Sequence, residues 1–288
     1  MPITLDLLAH ALSRIREKQP VVHVITNLVT IGDVANALHA LGARPVMASA
    51  LEEVKEITSR ADALVLNVGT PDPMRVKAML EAGRQANTLG HPAILDPVGA
   101  GASPFRSEAV QRILSEVRFT VIRGNGAEIG ALAGVGGNLR GIDSAREPAD
   151  PEAAAKTLAQ KVGGVVVLSG HKDLIAGQEG VIRVENGHPM MAQVTGTGCM
   201  LSAIIGAFSA VETNPMIAAT GAVAFFGLAG EKAAQQAKGP GSFKVALLDA
   251  LFTLTAEDVK GGAKIKFPPA FAPQGGASRR QASPLKLQ

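Results

Sequence analysis

The strongest constraint on the fold is a rhythm. Short apolar runs recur through the first 170 residues, and each leads into a segment of helical periodicity. Val21-Val22-His23-Val24-Ile25, Ala63-Leu64-Val65-Leu66, Ala93-Ile94-Leu95, Phe119-Thr120-Val121-Ile122 and Val165-Val166-Val167-Leu168 lack the apolar–polar alternation of a half-exposed strand. Strands without alternation are buried on both faces, which parallel βαβ units achieve by laying helices over both sides of one sheet. Between them, helices are expected over 5–18, 31–41, 51–59, 73–88, 105–115 and 151–162, with a further strand over 44–48. Thr30 is the expected cap of the second helix and Gly42 its stop.

After residue 170 the rhythm changes. Leu174-Ile175-Ala176, Gly180–Val184 and Met190-Met191-Ala192 read as short strands that add an antiparallel edge. Helices are expected from 197 to about 259. From Pro268 the chain is rich in Pro, Gly, Ser, Gln and Arg, a composition expected to be disordered. The expectation is one α/β domain over 1–267, a mostly parallel sheet covered by helices on both faces, then a tail over 268–288.

Composition narrows the function. The chain has no Trp and no Tyr, so it lacks the aromatic platforms on which single-stranded bases stack. Net charge is +3, with Arg279, Arg280 and Lys286 in the tail, so the body is close to neutral. Neither fact favours a nucleic-acid partner. The single cysteine rules out an internal disulfide and fits a reducing compartment. Met1–Asp6 has no basic-then-apolar leader, and the apolar run 197–211 is too short and glycine-rich for a membrane span. A soluble, cytoplasmic protein is expected.

Ligands of an open parallel sheet gather at the carboxyl ends of its strands. The polar residues there are Asn27, Asn67, Asp96, Arg123 with Asn125 and Glu128, and Ser169. To these the chain adds Gly196-Thr197-Gly198-Cys199, opening an apolar helix. A glycine-flanked helix start leaves backbone N–H groups free to meet an anion, with the positive helix end behind them. Such a turn can also be plain packing. Asp96 alone would serve as a turn residue, and Glu128 alone would favour its own helix N-terminus. Two carboxylates at neighbouring strand ends beside an anion-binding turn suggest Mg²⁺, which takes one or two carboxylates together with substrate phosphates. Arg123 suits a clamp on nucleotide phosphates. His23, inside a strand, reads as a satisfied core residue. With no Walker sequence and no dinucleotide fingerprint, the set favours phosphoryl transfer without a P-loop.

Four motifs then resemble one family. Thr-Asn-x-Val-Thr at 26–30, Asp-Pro-Val-Gly-Ala at 96–100, Arg-Gly-Asn-x-x-Glu-Ile at 123–129 and Thr-Gly-Thr-Gly-Cys at 195–199 look like hydroxyethylthiazole kinase, of the ribokinase-like superfamily. The resemblance spans roughly residues 5–260. It implies ATP-dependent phosphorylation of the hydroxyl of hydroxyethylthiazole, for thiamine biosynthesis or salvage. It also implies an anion hole at Gly196, Thr197 and Gly198, Mg²⁺ on Asp96 and Glu128, and ATP contacts from Arg123 and Ser169. Asn27, Met47 and Gly196 would line the thiazole pocket, in a homotrimer with active sites between subunits. Ser169 stands where the family often carries Thr, which keeps the hydroxyl. Cys199 stands where related kinases carry an Asp base, and is expected to position the substrate hydroxyl and take its proton late. The competing readings are a kinase of another small alcohol, such as hydroxymethylpyrimidine or a sugar, and a non-catalytic nucleotide- or thiazole-binding regulator.

Overall fold

A computed structural model describes residues 3–135, 148–268 and 271. The first elements follow the rhythm. Helix α1 (Leu5–Lys18) starts at Thr4, whose hydroxyl accepts from Leu7 N. Strand β1 (Val21–Ile25) leads to α2 (Ile31–Leu41), which Gly42 ends at φ +104°. The expected cap of α2 is not made, because the Thr30 side chain gives no cap bond. Instead Asn27 Oδ1 accepts from Val29 N, Thr30 N and Thr30 Oγ1 at 3.0–3.1 Å, folding the turn before the helix. Strand β2 is only Arg44–Val46, so Met47 and Ala48 have already left the sheet.

Helix α3 (Val54–Arg60), β3 (Ala63–Asn67), α4 (Pro73–Leu89), β4 (Ala93–Asp96) and α5 (Pro104–Glu116) continue the alternation. Strand β5 runs Val121–Asn125, later than the apolar run at 119–122, and carries the polar residues Arg123 and Asn125 into the sheet. Helix α6 (Gly126–Ala133), α7 (Pro151–Val162) and β6 (Val165–Ser169) complete the parallel part.

Strands β7 (Asp173–Gly177) and β8 (Gly180–Val184) form the antiparallel edge as expected. The third expected strand is a correction. Residues Pro189–Gln193 form a 3-10 turn, begun by His188 accepting from Met190 N at 3.2 Å. Pro189 has no N–H to give a ladder. The edge is finished instead by β9 (Ile265–Lys266), which pairs antiparallel with β8 through Arg183↔Lys266 and Val184↔Ile265. Between these lie α8 (Thr197–Val211), α9 (Pro215–Gln236), α10 (Pro240–Thr253) and α11 (Ala256–Gly262).

The sheet order is β2-β1-β3-β4-β5-β6-β7-β8-β9. Its two faces carry two separate hydrophobic clusters, one centred on α8 and α9 and the other under α4, α5 and α7. Helix α8 sits against the middle of the sheet. A Cβ on Gly206 would lie 2.6 Å from Val65 Cγ2, so only glycine permits that approach. Register then sets the site: Asn67 lies beside Asp96, and Asn125 beside Ser169, at the carboxyl edge.

Of the expected tail, Pro268 and Phe271 are described, and the Phe271 ring is 1% exposed in the α8–α9 cluster. The domain therefore has a packing contact beyond 267. The other expected tail residues, and 136–147 of the expected Gly-rich loop, lie outside the described residues. Among the described residues no helix is long and apolar enough to cross a membrane.

Candidate active site

Three strand ends and the start of α8 meet in one hydrogen-bonded chain. Asn27, after β1, donates from Nδ2 to Asn67 Oδ1 at 3.0 Å and to Cys199 Sγ at 3.3 Å. Asn67 ends β3 and donates to Cys199 Sγ at 3.3 Å and to Asp96 Oδ2 at 2.8 Å. Asp96 ends β4 and is wholly buried; its Oδ2 also accepts from Ser202 Oγ at 2.8 Å. Ser202 lies three residues beyond Cys199, on the same face of α8. The other oxygen, Asp96 Oδ1, is buried with no hydrogen-bond partner among the described residues.

Arg123 lies beside this chain. Its Nη1 is 3.8 Å from Asp96 Oδ2, and its Nη2 donates to Ser169 Oγ at 2.5 Å. Ser169 in turn donates to Gly124 O at 3.3 Å. The guanidinium also rests against the α8 turn, where a Cβ on Gly198 would be 2.4 Å from Nη1. Gly196 has φ +95°, and a Cβ there would meet Thr30 Cγ2 at 2.7 Å. Gly196 is therefore favoured by conformation and by close approach, whereas Gly198 is favoured by the close approach of the Arg123 guanidinium alone. Helix α8 has no side-chain cap, so its first N–H groups stay available at the site.

Glu128 is placed differently. It is the third residue of α6 and forms a capping box: Asn125 Oδ1 accepts from Glu128 N at 2.9 Å, and Glu128 Oε2 accepts from Asn125 N at 2.8 Å. Its Oε1 accepts from Gly99 N at 2.9 Å, tying α6 to the turn after β4. That turn is held from the other side by Arg106, which donates to Val68 O, Val98 O and Gly69 O at 2.7–3.1 Å.

Burial raises the carboxyl pKa of Asp96, against the opposing pull of Arg123, Ser202 and Asn67. Burial raises Glu128 as well, and the Asp96 charge adds to it. Among the described residues these two buried carboxylates share the Arg123 charge, which leaves them short of positive charge. A divalent cation would supply it, and the unpartnered Asp96 Oδ1 fits one. Among the described residues no three His, Cys, Asp or Glu side chains form a cage by themselves. Burial, and then the Asp96 charge, push the Cys199 thiol up. That shift favours the neutral thiol at neutral pH.

The expected residues are thus largely brought together, with two differences. Thr197 Oγ1 donates to Met191 O at 3.0 Å and Val194 O at 3.3 Å, so its hydroxyl faces its own backbone and only its N–H faces the turn. Met47 takes no part in that hydrogen-bonded chain; it follows β2 and, like Cys199, is partly buried against the α8–α9 cluster. Sequence reasoning missed Ser202, Arg106 and Asp173. Asp173 opens β7, accepts from Gly170 N at 2.9 Å, and feels the Arg123 charge. Burial pushes its pKa up to about 6. A polar residue one turn past Cys199 in an otherwise apolar helix was the available sign for Ser202.

A parallel sheet finished by antiparallel strands, with buried carboxylates facing an uncapped Gly-Thr-Gly helix start, is the architecture of the ribokinase-like kinases. A ribokinase-like superfamily protein from Enterococcus faecalis shares this fold, with a TM-score of 0.58 at 18% identity over 82% of this chain and 87% of that one. The particular group is closer. The model of the hydroxyethylthiazole kinase family matches residues 12–257. The hydroxyethylthiazole kinase of Desulforudis audaxviator is 49% identical over 258 residues, 90% of this chain and 94% of that protein. The structure of the hydroxyethylthiazole kinase protein from Pyrococcus horikoshii OT3 superposes with a TM-score of 0.83 at 42% identity, covering 90% and 98% of the two chains. The chain belongs to the hydroxyethylthiazole kinase family, and it is a kinase.

Proposed function

We propose that the chain transfers the γ-phosphoryl group of ATP to the hydroxyl of hydroxyethylthiazole, at the start of α8. The observation that carries this reading is the convergence on one turn. The N–H groups of Thr197–Cys199, the Arg123 guanidinium and the Asp96 carboxylate share it. Phosphoryl transfer passes through a loose transition state, so fixed positive charge and alignment do most of the work.

Gly196–Gly198 form the anion hole that receives charge developing on the transferred group. Arg123 lies across that turn and, with Ser169 Oγ, meets the nucleotide phosphates. Asp96 and Glu128 hold Mg²⁺, which when bound neutralises phosphate charge. Glu128 keeps a second task, since both its oxygens accept backbone N–H groups and shape the turn at Gly99. Asn27 and Met47 line the thiazole pocket. Cys199 places the substrate hydroxyl: its Sγ is fixed by the amides of Asn27 and Asn67. In a loose transition state the hydroxyl need not be deprotonated in advance, so a neutral thiol is sufficient.

We also propose the homotrimer with shared sites. Leu28 and Val29, next to Asn27, are 66% and 69% exposed, and a neighbouring subunit would cover them. Analytical ultracentrifugation should then give three chains per particle; a monomer would remove this part of the reading.

The catalytic reading is tested by ADP release from Mg-ATP with hydroxyethylthiazole, hydroxymethylpyrimidine or ribose as acceptor. Release that depends on the thiazole supports it. Release with another alcohol would keep the phosphoryl chemistry and discard the pocket. ATP binding with no turnover on any acceptor would make the chain a binding protein.

A further inference from the structure

We propose that His23 is a positioning residue for the thiazole pocket. From inside the sheet it holds the Ala48 carbonyl, and with it Met47, in the pocket wall. The proposal rests on the pocket role given to Met47 above.

His23 lies on β1 and is 0% exposed. Its Nε2 is 2.9 Å from Ala48 O, and its Nδ1 is 2.9 Å from Thr58 Oγ1 on α3. A carbonyl only accepts, so Nε2 must carry a proton. The Thr58 hydroxyl has two acceptors in reach, His23 Nδ1 and Val54 O at 2.7 Å. With a neutral ring, which burial favours here, Nδ1 accepts from Thr58. With an imidazolium, Nδ1 donates and the hydroxyl turns to Val54 O. In both states Nε2–H stays on the Ala48 carbonyl. The contact is a latch and not a pH switch.

The latch is where the backbone needs one. Strand β2 ends at Val46, and α3 does not begin until Val54. Among the described residues no backbone N–H reaches the Ala48 carbonyl, so His23 supplies its partner. The segment runs on through Ser49–Glu52, which with Met74 and Arg75 lines a depression of about 240 Å³. Arg75 Nη1 donates to Thr26 O at 2.8 Å, which joins that depression to the strand end carrying Asn27. An interior histidine of β1 is thereby coupled to the wall of a cavity at the carboxyl edge. Its imidazole does not touch the substrate; it acts through Met47 and Ala48.

The test uses steady-state kinetics on the full chain, with thiazole and ATP varied separately. A Gln amide nitrogen can reach the place of His Nε2, whereas an Asn amide stops near Nδ1. His23→Leu and His23→Asn should raise KM for hydroxyethylthiazole about five- to tenfold, the loss expected from one buried hydrogen bond. KM for ATP should stay unchanged, and His23→Gln should restore thiazole KM. A purely structural histidine would lower melting temperature and active fraction in the variants without separating the two KM values or the two amides. An unchanged thiazole KM in His23→Asn, or an equal rise in both KM values, would overturn the latch. Should His23→Leu fail to fold, the Asn and Gln pair still decides. Met47→Ala separates the premises. If it leaves thiazole KM unchanged, the pocket reading and the latch fall together. If it raises KM while His23→Asn behaves as wild type, the latch alone falls.

Discussion

Helices α6 and α8 begin at the same edge of the sheet, and their first turns are built in opposite ways. Helix α6 is closed by its own side chains: Asn125 takes the Glu128 N–H, and Glu128 takes the Asn125 N–H. Helix α8 starts at a glycine in a left-handed conformation with no side-chain cap. A capping box is worth about 1 kcal/mol to a helix, so α8 forgoes a stabilising device that α6 uses. What α8 keeps in return is a set of N–H groups that an anion can approach. The first turn of α6 already has its carboxylate, which accepts the Asn125 and Gly99 N–H groups. A closed start stabilises the fold; an open one binds.

The comparison can be broken most severely at Gly198. Gly198→Ala puts a methyl group against the Arg123 guanidinium and should lower kcat/KM by about 100-fold or more, the cost of misplacing a charge at the reacting group. Thermal melting should show the fold intact. Substantial activity in this variant would mean that the close approach of Arg123 to the open turn is not used.

Next in size is Asp173, which shares the Arg123 field. Burial pushes its carboxyl up to about 6 in the folded chain, from an ordinary value of 3.8. The native state therefore holds this proton more tightly than the unfolded one. Stability from this group is fully present below the unfolded pKa and is lost as pH rises through 6. Asp173→Asn keeps an oxygen for Gly170 N and should gain about 1–3 kcal/mol at neutral pH, shrinking as the solution is acidified. Urea midpoints across the acid range would show it; a gain independent of pH would contradict the assignment.

Cys199→Ala removes the sulfur that receives two amides and should lower kcat about tenfold, by loosening the hydroxyl's placement and not by removing a base. The wild-type rate should accordingly show no thiolate limb near neutral pH, because the thiol is held protonated. A limb that disappears in Cys199→Ala would restore the base role. The smallest effect falls on the closed helix. Asn125→Ala should cost about 1 kcal/mol of stability by chemical denaturation, with the start of α8 untouched. An activity loss matching that of Gly198→Ala would erase the distinction between the two helices.

The parallel half of the fold was legible because its information is local. Each apolar run is a doubly covered strand, and each helix between them has a periodic face. The edge was not, because β9 pairs with β8 across 83 residues of chain (Arg183↔Lys266), and two residues carry no pattern of their own. Residues 190–192 read as a strand because their composition is apolar, while Pro189 and the His188 cap decided for a 3-10 turn. At the site, Asn27, Asp96, Arg123, Ser169 and the glycine turn stood out because each follows an apolar run or breaks one. Thr30 looked like a cap by position, but Asn27 Oδ1 is better placed and takes both its N–H and its hydroxyl. Ser202 stayed hidden because its partner Asp96 lies 106 residues earlier, and Asp173 because the Arg123 charge that it feels comes from a distant strand.

The central claim is that the open start of α8 receives the transferred phosphoryl group. It is tested most directly by a crystal structure of the protein with ADP, Mg²⁺ and hydroxyethylthiazole phosphate. The account predicts the product phosphate within hydrogen-bonding distance of the backbone N–H groups of residues 197–199, with Arg123 beside it. A phosphate seated elsewhere, with that turn unvisited, would contradict it.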